Sequence, residues 1–326
     1  MIKRQPKDDY RLISADAPGI TAASKALRDG DLVAFPSETV YGLGAEATND
    51  LAVAKIYTAK GRPTFNPLIV HVPSVEAAQR YVVFDDRARR FCEEFCPGAV
   101  SVVLPRRPDC TLSLLVSAGL ESVAIRIPNH PVAQAVLIES NVPIAAPSAN
   151  PSGAVSPTRA DHVLAGWPDP DKEGPKFVID GGNCSIGLES TVIDLSTAAP
   201  TLLRPGGISI EDIEQKIGPI AIAIHDDDAP KSPGMLSRHY APETPILLNT
   251  TNDNQDAVYI GFGPGDADAE FNLSIPGDLQ EAAANLFSML RQVDLLGKEM
   301  IAVAPIPTSG LGLAINDRLS RAALRD

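Results

Sequence analysis

VAFPSETVYGLGAEA, residues 33–47, is the stretch from which the fold is read. Asp31 to Pro36 reads as a strand, and it ends in Pro36, where Ser37, Glu38 and Thr39 would leave a sheet edge. Gly42 and Gly44 then permit close backbone approach. One reading is a capped turn. The other puts Thr39 and Tyr41 on the floor of a small-molecule pocket. A helix over Thr21–Arg28 precedes the stretch, and a helix over Asp50–Ala59, capped by Asn49 or Asp50, follows it. Strand patterns then recur at 68–72, 99–104, 122–127, 144–146, 177–180, 190–194 and 201–204, with helices over 75–81, 85–95 and 208–217. Helices and strands mix without a strict β-α-β rhythm, which predicts a mixed α/β or α+β domain built on a twisted sheet.

Composition narrows the function classes. A chain of 326 residues suggests one large and one small domain, and 44% hydrophobic with 21% charged residues is the balance of a soluble globular protein. No apolar run reaches the roughly 20 residues of a membrane span, and MIKRQPKDDYRL at the N-terminus lacks the apolar core of a secretory signal. A cytoplasmic protein with no membrane partner is expected. Cys92, Cys96, Cys110 and Cys184 complete no zinc set and read as reduced thiols. The net charge of −13 disfavours strong direct nucleic-acid binding, though it allows one small anion in a local basic pocket.

Such a pocket has candidates. In KGRPTFNPLIVHV (60–72), Lys60 and Arg62 follow a helix whose C-terminal dipole would attract Lys60; Arg62 lies past that influence because Pro63 has turned the chain. An arginine fork beside a lysine suits a triphosphate. His71, inside an apolar strand, would ordinarily be a satisfied core histidine. Arg126, within the apolar strand of ESVAIRIPNHP, needs a carboxylate, from Glu38 or from a ligand. AAPSANPSGAVSPT offers Ser148, Asn150, Ser152 and Ser156, GLESTVIDL offers Ser190 and Thr191, and LLRPGG ends in Arg204. Each alone reads equally well as a turn. Together they place three arginines and several hydroxyls at strand ends, as an anion site requires. The glycine patterns GGNCSIGLES, GFGPGD and GLGLAI fail the P-loop and dinucleotide templates and read as turns or helix starts. No serine triad or paired-carboxylate glycosidase signature competes with the anion site.

Residues 225–245, HDDDAPKSPGMLSRHYAPETP, have linker composition. Beyond them, strands at 246–248, 257–262 and 300–305 and helices over 279–295 and 311–324 predict a compact α/β tail.

In order along the chain, FPSETVYGLGAEA, KGRPTFNPLIVHV, SVAIRIPNHP, PSANPSG, GLESTVID and LLRPGG resemble the motifs of YrdC-type domains. SPGMLSRHYAPETP and GLGLAINDRLSRAA resemble the two-domain form of that family, the L-threonylcarbamoyladenylate synthases. The resemblance runs from about residue 12 to the end. It implies a YrdC-like twisted open mixed sheet over 1–218, a linker or lid over 219–244 and a small Rossmann-like α/β domain over 245–326. It also implies synthesis of threonylcarbamoyl-AMP and pyrophosphate from L-threonine, bicarbonate and ATP, with the product passed to a tRNA threonylcarbamoyl transferase complex. Thr39, His71, Arg126 and Ser190 would then hold threonine, with Arg126 on its carboxylate. Lys60, Arg62, Asn66, Ser122, Ser148, Asn150, Ser156 and Arg204 would surround ATP, with Mg²⁺ held mainly by its phosphates and no protein metal ligands assigned. Ser232, Arg238, His239 and Tyr240 would form the lid. Two alternatives carry less weight. A double-stranded RNA-binding module of this fold would need a basic surface, against the −13 balance. A carbamoyl transferase of the hydrogenase-maturation type would need an acylphosphatase-like region and zinc-finger cysteines.

Overall fold

The computed structural model describes residues 11–170, 172–223, 239–252 and 256–324. The first unit contains β1 (Leu12–Ser14), α1 (Ala17–Arg28), β2 (Val33–Phe35), β3 (Gly42–Glu46), α2 (Asp50–Lys60), β4 (Ile69–His71), α3 (Val75–Ala78), α4 (Asp86–Phe95), β5 (Val100–Pro105) and β6 (Ser122–Arg126). It continues with α5 (Pro131–Ser140), β7 (Ile144–Ala145), α6 (Ala160–Gly166), β8 (Phe177–Asp180), β9 (Thr191–Asp194), β10 (Thr201–Arg204), α7 (Ile210–Ile217) and β11 (Ala221–Ile222). These strands form one mixed sheet in the order β1-β8-β2-β3-β7-β4-β6-β5-β9-β10-β11. Because β11 pairs with β10, the sheet continues past residue 218 to Ile222.

The second unit contains β12 (Ile246–Leu248), β13 (Ala257–Gly261), β14 (Phe271–Asn272), α8 (Leu279–Asp294), β15 (Met300–Val303) and α9 (Leu311–Ala323). Its sheet, β12-β15-β13-β14, is wholly parallel, as a small Rossmann-like unit requires.

Side-chain alternation along β2 divides the core. Val33 and Phe35 face the layer of α1 and α5, where they pack with Ile20, Leu27, Val136 and Leu137. Ala34 faces the other way, into the larger core with Val53 and Ile56 of α2. On the far half of the sheet a separate apolar cluster of Ile69, Val103, Ala124, Val192 and Leu203 spans β4, β6, β5, β9 and β10.

Two local readings change. Gly42–Glu46, read as the loop after the strand, is itself strand β3, paired antiparallel to β2 and β7. Two glycines lower strand propensity, but the tertiary contact selects them: a Cβ on Gly44 would lie 2.8 Å from both Ile144 Cγ2 and Phe35 Cε1. Helix α5 was invisible to periodicity because PVAQAVLIES is apolar around most of its circumference. GLGLAI, Gly310 to Ile315, is a helix start, with Gly310 at the N-cap of α9. All four cysteines are free thiols. Among the described residues no helix is long and apolar enough to cross a membrane.

Candidate active site

Parallel β4 and β6 set His71 beside Arg126, and antiparallel β5 sets Ser101 next to Arg126 on the other side. Ser101 Oγ lies 2.7 Å from Ser190 Oγ at the start of β9. Arg204, at the end of β10, donates from NH2 to the Ser190 carbonyl at 2.8 Å and to its hydroxyl at 3.1 Å. The neighbouring strands β4, β6, β5, β9 and β10 thus bring His71, Arg126, Ser190 and Arg204 to one cavity.

Arg62 reaches the same cavity from the end of α2. Asn49 caps that helix, accepting from the amides of Leu51 and Ala52, and Gly61 ends it in the left-handed conformation at φ 59°. The turn aims Arg62 inward. Its NH2 donates to Asn66 Oδ1 at 2.6 Å and to the Pro67 carbonyl at 2.9 Å, and its Nε to the Asn66 carbonyl at 3.2 Å. All these acceptors are neutral. Among the described residues no carboxylate pairs with Arg62, so a buried positive charge faces the cavity without a counter-ion. Burial pulls its pKa down to about 10, which still leaves it charged at neutral pH.

Arg126 finds its carboxylate within the protein. Its NH2 donates to Glu38 Oε1 at 2.7 Å, with both residues buried. Burial would raise the Glu38 pKa, but the Arg126 guanidinium outweighs it and holds the carboxyl below its ordinary value. Arg126 Nε nevertheless has no partner. His71 also lines the cavity with Nδ1 unpartnered, so it is not the satisfied core histidine of the simpler reading. Burial and the adjacent Arg126 lower its pKa to about 3, making it a neutral imidazole. His239 does the same from the segment after residue 238: it is buried, its Nδ1 is unpartnered and burial lowers its pKa to about 3. Buried polar groups are ordinarily hydrogen-bonded. Three such orphans around one cavity mark a polar ligand site.

The other expected residues are placed less directly. Ser148 lines the cavity, while Lys60 stands behind it and donates from Nζ to the Ser148 carbonyl at 2.7 Å and to the Asn150 carbonyl. Burial, then Arg62, push the Lys60 pKa well down. The lysine braces the PSAN loop rather than forming the cavity wall. Asn150 holds the same loop through Nδ2 bonds to the Pro151 and Ala154 carbonyls, and Asn66 Nδ2 is buried without a partner. Ser156 is fully buried and donates to Glu189 Oε1 at 2.6 Å. Ser122 shares the face of Arg126 on β6 but sits at the far end of the strand, outside the lining.

Thr39 and Tyr41 do not form the floor. Val40 and Gly42 line the cavity, whereas Thr39 and Tyr41 are buried beside them and do not. Thr39 Oγ1 lies 2.8 Å from the hydroxyl of Ser37, which does line it, and Tyr41 OH donates to the Gly182 carbonyl at 2.8 Å. Of the expected lid, Tyr240 lines the cavity with His239, and their rings are 4.0 Å apart. Ser232 and Arg238 lie outside the described residues. Sequence reasoning passed over Ser101 and gave no site role to Ser37 or Glu189. Glu189 was weighed only as a failed P-loop position, although a carboxylate immediately before Ser190 was the available signal.

The sequence and its two-unit fold have close counterparts among known proteins. Residues 25–206 match the family model described as Telomere recombination, and residues 208–324 match that of the threonylcarbamoyl-AMP synthase C-terminal domain. The chain is 42% identical to the Bacillus subtilis threonylcarbamoyl-AMP synthase, covering 95% of this chain and 94% of the relative. It is 40% identical to the Pyrococcus abyssi threonylcarbamoyl-AMP synthase, covering 93% and 94%. A crystal structure of P. abyssi Sua5 complexed with L-threonine superposes with a TM-score of 0.88 at 38% identity, covering 96% of this chain and 97% of that one. The fold and site thus define a two-domain YrdC-type protein. The chain belongs to the threonylcarbamoyl-AMP synthase family.

Proposed function

We propose that this chain is an L-threonylcarbamoyladenylate synthase that uses L-threonine, bicarbonate and ATP. The observation that carries the reading is the cavity where Arg62, Arg126 and Arg204 converge with the unpartnered nitrogens of His71 and Arg126, in a chain so similar to named synthases. Threonine would lie near Arg126, His71 and Ser190, where Arg126 Nε and His71 Nδ1 can engage its polar groups. The nucleotide would extend toward Arg62 and Arg204.

Two bond-forming steps follow. The threonine amine attacks the carbon of bicarbonate, water leaves, and a carbamate forms. A carbamate oxygen then attacks the α-phosphorus of ATP as the bond to pyrophosphate breaks, giving a mixed anhydride with AMP. In this sense the enzyme is a nucleotidyltransferase. Positioning and charge stabilisation suffice, with no protein nucleophile. Arg62 and Arg204 are already fixed by hydrogen bonds to backbone carbonyls, so they can stabilise developing negative charge without reorganising. His239 and Tyr240 form one wall of the cavity and would help keep water from the labile product.

Mg²⁺ is expected to arrive on the phosphate oxygens. Among the described residues no group of three or more His, Cys, Asp and Glu is arranged to hold a metal, and the nearby carboxylates of Glu38 and Glu189 are engaged by arginines. Phosphate-dominated coordination suits this ion. The product would pass to a tRNA-modifying transferase complex. The test is pyrophosphate release from ATP by the purified chain, with threonine and bicarbonate omitted in turn. Release must depend on both, and release indifferent to threonine sinks the synthase reading.

A further inference from the structure

Arg318 belongs to α9 of the small domain, yet its side chain is completely buried. Its Nε donates to Glu189 Oε2 at 2.8 Å and its NH2 to the Pro205 carbonyl at 2.9 Å, both in the large domain. The other carboxylate oxygen, Glu189 Oε1, accepts from Ser156 at 2.6 Å. Arg318 also lies with its guanidinium carbon 5.0 Å from the centre of the Tyr240 ring, which stacks on Phe287 of α8 at 5.5 Å. Next to it, Asp317 accepts from Arg321 Nε at 3.0 Å, so Asp317 retains a partner if Arg318 is removed.

Among the described residues, Glu189 is the one acidic residue lining the cavity. Burial would raise its pKa, but Arg318 and then Arg204 outweigh that and bring it down to about 2, so it is charged at neutral pH. A bare carboxylate there would repel a polyphosphate. Paired from behind, it becomes a fixed acceptor that orients a hydroxyl.

We propose that Arg318 is a positioning residue for the nucleotide half of the site, acting through Glu189. It neutralises the carboxylate that faces the cavity and holds it so that Oε1 fixes Ser156. The small domain thereby completes the nucleotide site. This inference rests on the synthase reading.

The test uses the full chain with ATP and threonine varied separately. Arg318→Met is expected to raise KM for ATP by about 10- to 100-fold, the scale of losing one hydrogen bond to a charged group, while KM for threonine stays near wild type. Arg318→Met combined with Glu189→Gln removes the stranded charge and should recover most of the ATP affinity, which a merely structural arginine would not allow. Unchanged ATP KM in Arg318→Met, or a double variant as impaired as the single, overturns the inference. Should Arg318→Met fail to fold, Arg318→Lys takes its place, since it keeps a cation but loses the planar fork. A raised ATP KM with threonine KM unmoved then supports the inference, and both constants unmoved or moved together overturn it. A wild-type chain without threonine-dependent turnover overturns the synthase reading and this inference together. An active wild type beside an Arg318→Met chain of normal ATP KM overturns the inference alone.

Discussion

Arg126 and Glu38, 88 positions apart in the chain, meet through one hydrogen bond of 2.7 Å in which only one oxygen of the carboxylate is used. Glu38 Oε2 and Arg126 Nε both remain buried without a partner. The pair neutralises a guanidinium at the cavity wall while leaving one of its donors available. Glu38→Ala should therefore destabilise the chain by about 3–5 kcal/mol, because it strands a buried charge. Urea unfolding measures this, and a loss below about 1 kcal/mol would show that Arg126 is not dependent on Glu38.

Arg62 has no carboxylate partner among the described residues, so removing it strands no buried anion. Arg62→Ala is expected to lower kcat/KM by roughly 30- to 1000-fold, equivalent to about 2–4 kcal/mol of lost transition-state stabilisation. Thermal unfolding should change little by comparison. A normal rate with normal ATP affinity would return Arg62 to a helix-end role.

The buried histidines make stability depend on pH in a defined direction. His71 and His239 have folded values near 3, whereas an unfolded histidine titrates near 6.5. Between those values the unfolded chain binds protons that the folded chain refuses, so stability rises with pH and falls on acidification below about 6.5. At pH 5 each histidine should cost about 2 kcal/mol. Unfolding at pH 7 and pH 5 checks this, with His71→Asn expected to flatten the slope. An unaltered slope in that variant would show His71 to titrate normally.

Gly187 has φ +75°, and a Cβ there would fall 2.5 Å from both the Ala283 carbonyl oxygen and Ala284 Cα of α8. Gly187→Ala combines backbone strain with a clash that no side-chain rotation can relieve, and should cost at least about 1–3 kcal/mol. It should also loosen the contact between the domains, detected as faster proteolytic separation of the two units. Wild-type stability and protease resistance would contradict this close packing.

Legibility followed the range of the interaction. Local chemistry was readable: Asn49 capping α2, the turn after Lys60, and the β-type runs around His71, Arg126 and Ser190 depend on neighbours within a few residues. The three arginines were readable as an anion site because each stands beside a strand end or a broken helix. The sequence alone thus determined the mixed α/β class and most of the residues that converge on the cavity. It offered Thr39 and Tyr41 as a pocket floor, and neither lines the cavity, because which residues of a loop face a cavity is set by the packing around it. Only tertiary structure decided that Glu38 serves Arg126, that Lys60 braces a loop from behind the wall, and that Arg318 reaches Glu189 across 129 positions. Such long-range ion pairs carry no sequence spacing. They form only where folding removes both charges from water and leaves each as the other's available counter-ion.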